Sequence, residues 1–544
     1  MLKKIMLLSA SLTITFSTYA KQPNIVLIVA DDLGYSDIGA FGSEISTPNL
    51  DMLAKNGTKF TNYHTPGTCS PTRAELLSGT DHHLAGIGAM VETMQADAAK
   101  FDLIPKPQFL GKPGYEGYLN DRSLTISQIL KNNGYETIMV GKWHLGFENK
   151  TNPINKGFSQ SYALLNGVDS HFKELPQGMK RKTIYTENGK KVEIPDDFFS
   201  TDFYTKKIIE YLKNTKTDKP FFAYVAYTAP HWPLQAPEEY LNKYKGKYDK
   251  GYDYIRLNRL KKMRALNLLQ NENTARLVPT EQAPNKLDHW NKLTTQEKMI
   301  EARKMELYAA MIDNMDDNIG KIIQHLKEKN EYDNTLFIFV SDNGSEGFYR
   351  TAPGYDNSYA NLGKPTSYET IGPRWAEVSS TPLYLWKGTA AEGGVSAPAI
   401  IKLPHSNQNS TSNEFVSVRD ILPTILDITK SSISKPFTDS QKYNQVTGKS
   451  WFKYLKGKDN SVYGNNFYYA DELHGDAYIR NKDWKLTRTI TKNLDGPEWR
   501  LYNMSYDRSE TQNLIERYPN IAKDLDRKYI EYTKKYGVQD FLAD

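Results

Sequence analysis

The chain holds one cysteine in 544 residues, and the residues around it are those of a helix start. Pro71 suits a first helical turn, where its missing N–H has no intrahelical partner, the run Thr72 to Leu77 is helix-compatible, and Gly79 supplies a stop. Arg73, four residues beyond Cys69, falls on the same face, so a guanidinium and the positive end of the helix dipole both point at whatever residue 69 becomes or binds. That geometry favours an anion. By itself a lone cysteine is a small buried hydrophobe, so a site requires further groups. Asp31-Asp32 is a pair of oxygen donors suited to a hard cation or, standing alone, a solvated turn, and Asp342-Asn343 is a second such pair; Lys142 with His144 suits an anion with an acid or base beside it or an ordinary polar surface, and His231 divides evenly between a structural and a functional histidine.

Each of these groups follows a segment that can hold it. Asn24 to Ala30 is a continuous apolar run without alternation, as expected of a strand buried on both faces of a parallel sheet, and Asp31, Asp32 and Gly34 lie at its carboxyl end, where open α/β sheets gather ligands. Thr47-Pro48-Asn49 caps a helix ending near Gly57, and Thr58 to Tyr63 leads as a strand into the cysteine segment. The pattern predicts a helix over Ser123 to Asn133 and a strand from Tyr135 to Val140. In an extended continuation Lys142 and His144 share one face. Phe221 to Tyr227 reads as a strand running into Pro230-His231-Trp232-Pro233, a segment stiffened by its prolines. Glu301 to Lys329 carries Met305, Tyr308, Ile312, Met315, Ile319 and Ile322 at helical spacing, the face of a helix packed on the sheet. Thr335 to Val340 is the strand before Asp342-Asn343. Lys387-Gly388-Thr389 precedes a strand from Ala397 to Leu403, and a helix is expected over Val416 to Ile428. The polar stretch from Leu241 to Met299, helical over Leu257 to Leu269, reads as a surface excursion near the site mouth.

The alternation of strands and helices is that of an α/β domain, expected over residues 21–440 and ending in a Ser/Lys-rich linker near 430–440. Beyond Gln441 come short strands (Asp476 to Arg480, Trp484 to Ile490, Arg500 to Met504) and a helix from about Pro519 to Lys535. Residues 441–544 are therefore expected as a smaller α+β domain, an antiparallel sheet plus one helix. Residues 1–20 have a basic start, an apolar run and Thr18-Tyr19-Ala20, which fits a cleaved signal peptide and export to the periplasm or beyond. The run is too short, and too broken by Ser9, Ser11, Thr13 and Thr15, to anchor the chain in a membrane. No later segment is long and apolar enough to span one. Without the leader, 67 basic groups stand against 64 acidic ones, so no nucleic-acid footprint follows. One cysteine excludes an intrachain disulfide framework.

Cys69-Ser70-Pro71-Thr72-Arg73 followed by Leu77-Ser78-Gly79-Thr80 resembles the signature of the type I sulfatases, in which the cysteine is oxidised to formylglycine (3-oxoalanine) and the hydrated aldehyde is the nucleophile. The segments Asp31 to Gly42, Gly79 to His83 and Ala229 to Pro237 look most like bacterial arylsulfatases, and the resemblance covers nearly the whole chain after the leader. It implies an alkaline-phosphatase-like, mostly parallel sheet sandwiched by helices, with a small C-terminal domain. It further implies one divalent cation, calcium in most of the family, held by Asp31, Asp32, Asp342, Asn343 and the modified residue 69. Arg73 would support the nucleophile, Lys142, His231 and Lys387 would hold the sulfate, His231 with Lys387 would protonate the leaving oxygen, and His144 would bond the second hydroxyl. The expected substrates are aryl sulfates or sulfated sugars, and the expected partner in maturation is a formylglycine-generating enzyme. Ser396 departs from the pattern, because many type I sulfatases carry an arginine after Gly-Gly-Val. Two rivals stand beside this reading: a formylglycine-dependent phosphonate or phosphodiester hydrolase, and an anion-binding pseudoenzyme with unmodified Cys69.

Overall fold

A computed structural model describes residues 21–95, 105–215, 219–269, 275–439, 441–490 and 494–542; the expected leader lies outside them. The apolar runs form the middle of a large sheet. In chain order its strands are β1 (Asn24–Ala30), β2 (Thr58–His64), β3 (Glu136–Lys142), β4 (Gln160–Leu164), β5 (Tyr185–Glu187), β6 (Lys190–Val192), β7 (Phe221–Ala226), β8 (Thr335–Ser341), β9 (Ser396–Lys402), β10 (Ser410–Ser412) and β11 (Val416–Ser417). The spatial order is β10-β2-β9-β8-β1-β7-β3-β4-β5-β6, with β11 also paired to β2. β8, β1, β7, β3 and β4 run parallel, whereas β9 is antiparallel to both β8 and β2.

Strand β1 explains why its sequence lacks alternation. Val26, Ile28 and Ala30 pack on the face covered by the helix Thr295–Glu328, through Met305, Ile312 and Ile319. Ile25, Leu27 and Val29 pack on the opposite face with Leu77, Ile129 and Leu422 from three helices, Cys69–Ser78, Ile126–Asn132 and Ile421–Thr429. Both faces are core, so every position favours an apolar residue.

Several expected boundaries shift for local reasons. The helix predicted from Ser123 begins at Ile126, because Thr125 caps it in a reciprocal box with Gln128. The segment Val416 to Ile428 opens as β11 and a 3-10 turn, and the α-helix runs only over Ile421–Thr429. Within Leu241 to Met299 a helix runs over Gly251–Ala265, and the stretch is only in part at the surface: Leu257 and Tyr254 are exposed, whereas Tyr248, Tyr252, Ile255 and Met263 belong to the main core. Arg259 in this helix is fully buried between Asp37 and Glu44, with Nε 2.9 Å from the Glu44 carboxylate. Paired charges let a polar-looking sequence enter a core.

A second, antiparallel sheet contains β12 (Tyr469–Leu473), β13 (Asp476–Arg480), β14 (Trp484–Thr489) and β15 (Gly496–Asn503), in that order. The helix Pro519–Tyr536 packs Leu525, Tyr529 and Tyr532 against Ile479, Leu486 and Leu501. Buried contacts tie this sheet to the larger domain, His82 Nε2 to Asp471 Oδ1 at 3.2 Å and the ion pair of Lys485 with Glu392 at 3.0 Å. Trp451, past the expected linker, packs in the large core with its ring centroid 4.9 Å from that of Phe60 and tilted 49° to it. Among the described residues no helix is long and apolar enough to cross a membrane.

Candidate active site

Because β8, β1, β7 and β3 are neighbours and parallel, their carboxyl ends open on one edge of the sheet. Asp342-Asn343 follow β8, Asp31-Asp32 follow β1, His231 lies beyond β7, and Lys142 ends β3. The helix Cys69–Ser78 starts over the same edge, ended as expected by Gly79 at φ +65°. Cys69 Sγ lies 3.4 Å from Asp31 Oδ1 and 3.9 Å from Asp32 Oδ1. Arg73, one turn on, donates from Nε and Nη2 to Asp342 Oδ2 at 3.0 and 2.7 Å and from Nη1 to the Lys142 carbonyl. Lys142 Nζ reaches Asp31 Oδ2 at 2.7 Å, Lys387 Nζ reaches Asp32 Oδ2 at 2.8 Å, and His231 Nε2 stands 3.6 Å from Asp32 Oδ2. His231 Nδ1–H is held by its neighbour's carbonyl, Trp232 O, at 2.7 Å.

These groups are buried, and their protonation follows from that. Burial pushes Asp32 up to about 7, opposed by Lys387 and reinforced by the charges of Asp31, Glu346 and Asp342. Burial also acts on Asp31, but Lys142, His231, Arg73 and Lys387 outweigh it and hold the carboxyl far below the usual range. The Asp342 carboxyl is raised by burial and by Asp31. Three carboxylates crowded in a dry pocket present the field that a divalent cation relieves. The donor atoms fit such an ion. Asn343 Oδ1 is buried without a partner among the described residues, while its Nδ2 donates to Asp32 Oδ1 at 2.7 Å. The set is oxygen-rich, which suits calcium or magnesium rather than zinc. Asp31, Asp32, Cys69 and His231 each bring one donor atom within 4.8 Å of the others. Asp342 sits behind them, with Oδ2 on Arg73 and Oδ1 receiving the Asp32 N–H at 3.3 Å.

His144 arrives differently from the expectation. The strand ends at Lys142, and His144 adopts φ +55°, so the two side chains do not share a face of an extended segment. Gly141 permits the close packing just before this turn: a Cβ there would lie 1.9 Å from Ala226 O. His144 nevertheless reaches the site's cavity, of about 120 Å³, which is also lined by Cys69, His231 and Lys387. Sequence reading missed other lining residues, namely Glu92, Trp232, Glu346, Phe348, Arg350 and His474. Trp232 and Glu346 lie within three residues of residues singled out, which is a signal. Glu92 and His474 have none, and His474 sits at the turn between β12 and β13, so the second sheet supplies part of the wall. The departure at Ser396 also finds its counterpart here. Arg508 Nη2 donates to Ser396 Oγ at 3.1 Å and lies 3.4 Å from Glu392 Oε2, bringing a guanidinium to that place from the C-terminal region.

Comparison with known proteins agrees with this arrangement. The Sulfatase family profile matches residues 23–431. An uncharacterized sulfatase of Schizosaccharomyces pombe is 42% identical over 96% of each chain, and an arylsulfatase of Klebsiella aerogenes is 36% identical over 80% of this chain and 94% of its own. Among solved structures, Ps i-CgsB in complex with k-i-k-neocarrahexaose superposes with a TM-score of 0.66 at 24% identity, covering 94% of this chain and 93% of that one, a likeness of fold. With strand-end carboxylates, a buried Cys69 and two lysines gathered on one sheet edge, and with the family profile spanning that whole arrangement, the chain belongs to the sulfatase family.

Proposed function

We propose that this sulfuric ester hydrolase cleaves sulfate monoesters of phenols or sugars with residue 69 in its oxidised form, formylglycine, whose hydrate is the nucleophile. The observation that carries the proposal is the placement of Cys69. It is buried at the first turn of a helix, within 4 Å of two carboxylates, on a cavity that Lys387 and His231 also line. The named relatives are sulfatases, which favours sulfate over the phosphonate and phosphodiester alternatives. A saccharide substrate draws support from the sugar-bound structural relative and from a related N-acetylglucosamine-6-O-sulfatase, and an aryl substrate from the arylsulfatase.

Asp31, Asp32, Asp342 and Asn343 would hold one divalent cation, calcium by the donor chemistry. Such an ion supplies positive charge that lowers the pKa of a neighbouring hydroxyl and offsets charge on the sulfuryl group. The chain's own groups do the rest. Lys142, Lys387 and His231 bind the sulfate oxygens, and Arg73 holds Asp342 while facing residue 69. One hydroxyl of the hydrate gives its proton to one of the two carboxylates beside residue 69, Asp31 or Asp32, and attacks sulfur as the sulfur–oxygen bond to the alcohol breaks. His231 and Lys387 deliver the proton to the departing oxygen. Residue 69 then carries the sulfate. His144 takes the proton of the second hydroxyl, the carbon–oxygen bond to sulfate breaks, and the aldehyde returns to be hydrated again.

In this reading a formylglycine-generating enzyme converts Cys69 in the unfolded chain, before or during export of a chain with leader 1–20, and the burial of Cys69 at 2% exposure is in keeping with conversion ahead of folding. In this reading residues 21–440 are the catalytic domain, residues 441–544 the smaller α+β domain, and the mature protein is periplasmic or secreted.

In the active enzyme, the peptide holding residue 69 is expected about 18 Da below its cysteine mass. An active preparation whose residue 69 is plain cysteine would overturn the proposal. His231→Ala separates binding from proton delivery. Turnover of alkyl or sugar sulfates should drop about 100-fold more than that of nitrophenyl sulfate, whose phenolate leaves unaided. Equal losses on both substrates would limit His231 to holding sulfate.

A further inference from the structure

His144 carries the step that regenerates the aldehyde, and its ring is fixed from two sides by groups with no role so far. Nε2 lies 3.1 Å from Glu92 Oε1, on the short helix Val91–Met94. Nδ1 is buried and has no hydrogen-bond partner among the described residues. On the other side, the backbone of Gly167 passes so close that a Cβ there would lie 2.5 Å from Cε1 and 2.6 Å from Nε2 of the ring. Glu92, Gly167 and His144 all line the cavity that also holds Cys69.

The hydrogen-bond network decides the tautomer. A carboxylate only accepts, so Nε2 must carry the hydrogen it donates to Glu92, and the lone pair is left on Nδ1. Burial, together with the charges of Lys142 and Arg73, lowers the His144 pKa and outweighs Glu92, so the ring is neutral and free to accept a proton. Without a carboxylate partner a neutral imidazole divides between two tautomers, and one of them has its hydrogen on the nitrogen needed as base.

We propose that Glu92 is a positioning residue for turnover: its carboxylate holds His144 as the Nε2–H tautomer, so that Nδ1 takes the proton from the second hydroxyl of sulfated residue 69 and sulfate leaves. The proposal rests on the formylglycine reading above. In that step the O–H bond of the hemiacetal breaks, its electron pair becomes the carbonyl bond, and the carbon–oxygen bond to sulfate breaks with its pair going to sulfate. The proton stays on Nδ1, and the imidazolium so formed faces the Glu92 carboxylate. Attack on sulfur does not involve this pair.

The separation of steps makes the test specific. Glu92→Leu keeps most of the side chain's bulk and removes the acceptor that holds Nε2–H. It should lower kcat about 100-fold while kcat/KM stays within about twofold, because only the step after alcohol release is slowed. KM should therefore fall with kcat. Rapid quenching during steady state should show a burst of one equivalent of alcohol and the residue-69 peptide heavier by about 80 Da. Gly167→Ala, which displaces the same ring, should give the same adduct. Loss of kcat/KM in step with kcat, without an adduct, would overturn the role of Glu92, since general damage to the site slows attack as well. The same mass measurement on the wild type keeps the two proposals apart. Formylglycine there with no adduct in either variant defeats the Glu92 proposal alone, and plain cysteine there defeats both.

Discussion

Cys69→Ser, kept unmodified in its host, is expected to release at most one equivalent of alcohol per site and then to stop as a protein about 80 Da heavier. Serine at position 69 keeps a hydroxyl at the helix start, beside Arg73 and within reach of Asp31 and Asp32, where the cysteine sulfur lies 3.4 and 3.9 Å from their oxygens. Attack on sulfur therefore remains open. Release does not, because a serine sulfate has no second hydroxyl on the same carbon for His144 to deprotonate, and expulsion of sulfate by elimination to an aldehyde is impossible. The remaining route is attack of water on an ester enclosed in a small cavity. Steady-state turnover should fall by about 10⁴-fold or more, with the first turnover retained. Intact-protein mass and a stoichiometric count of alcohol measure both halves of the expectation. Continued turnover by a serine variant proven unmodified would rule out the two-hydroxyl mechanism.

Asp342→Ala is expected to abolish turnover and to cost stability at once. The carboxylate receives two hydrogen bonds from Arg73, at 3.0 and 2.7 Å, and both side chains are fully buried. Truncation leaves a buried guanidinium without its main partner, a change that costs about 3–5 kcal/mol. It also removes one oxygen from the donor set and lets Arg73 turn away from residue 69. Asp342→Asn separates these effects. The amide oxygen can still accept from Arg73, so most of the thermal stability should return while activity does not. Treatment of the wild type with a calcium-selective chelator should likewise remove activity, and added calcium should restore it. Full activity in a metal-free preparation would sink the assignment of Asp31, Asp32, Asp342 and Asn343 to a cation.

The residues of this site were legible in the sequence wherever local rules act on contiguous positions. The central strands are covered on both faces, so Ile25 to Ala30, Phe221 to Ala226 and Leu336 to Val340 are unbroken apolar runs, and polar groups placed just after them mark the edge of the candidate site. The helix at Cys69 was equally readable, because a proline in the first turn and a glycine stop are contiguous signals. Boundaries moved where two residues compete for one capping role, as when Thr125 rather than Ser123 closed the box with Gln128. The stretch around Arg259 was misread because composition equates charge with exposure, whereas pairing with Asp37 and Glu44 makes burial affordable.

What the tertiary structure alone decided is adjacency. The order β8-β1-β7-β3 sets Asp342, Asp31, His231 and Lys142 side by side, although 89 to 311 positions separate them in sequence, and no local pattern encodes which strand lies beside which. The same holds for Glu92 on His144, His474 in the cavity wall and Arg508 at Ser396, contacts made through space by side chains whose own surroundings in sequence are unremarked. Residue types and spacing determined which chemistry this chain carries. Packing of the two sheets determined which groups meet, because a contact between distant segments depends on the free energy of the whole core rather than on the residues that make it.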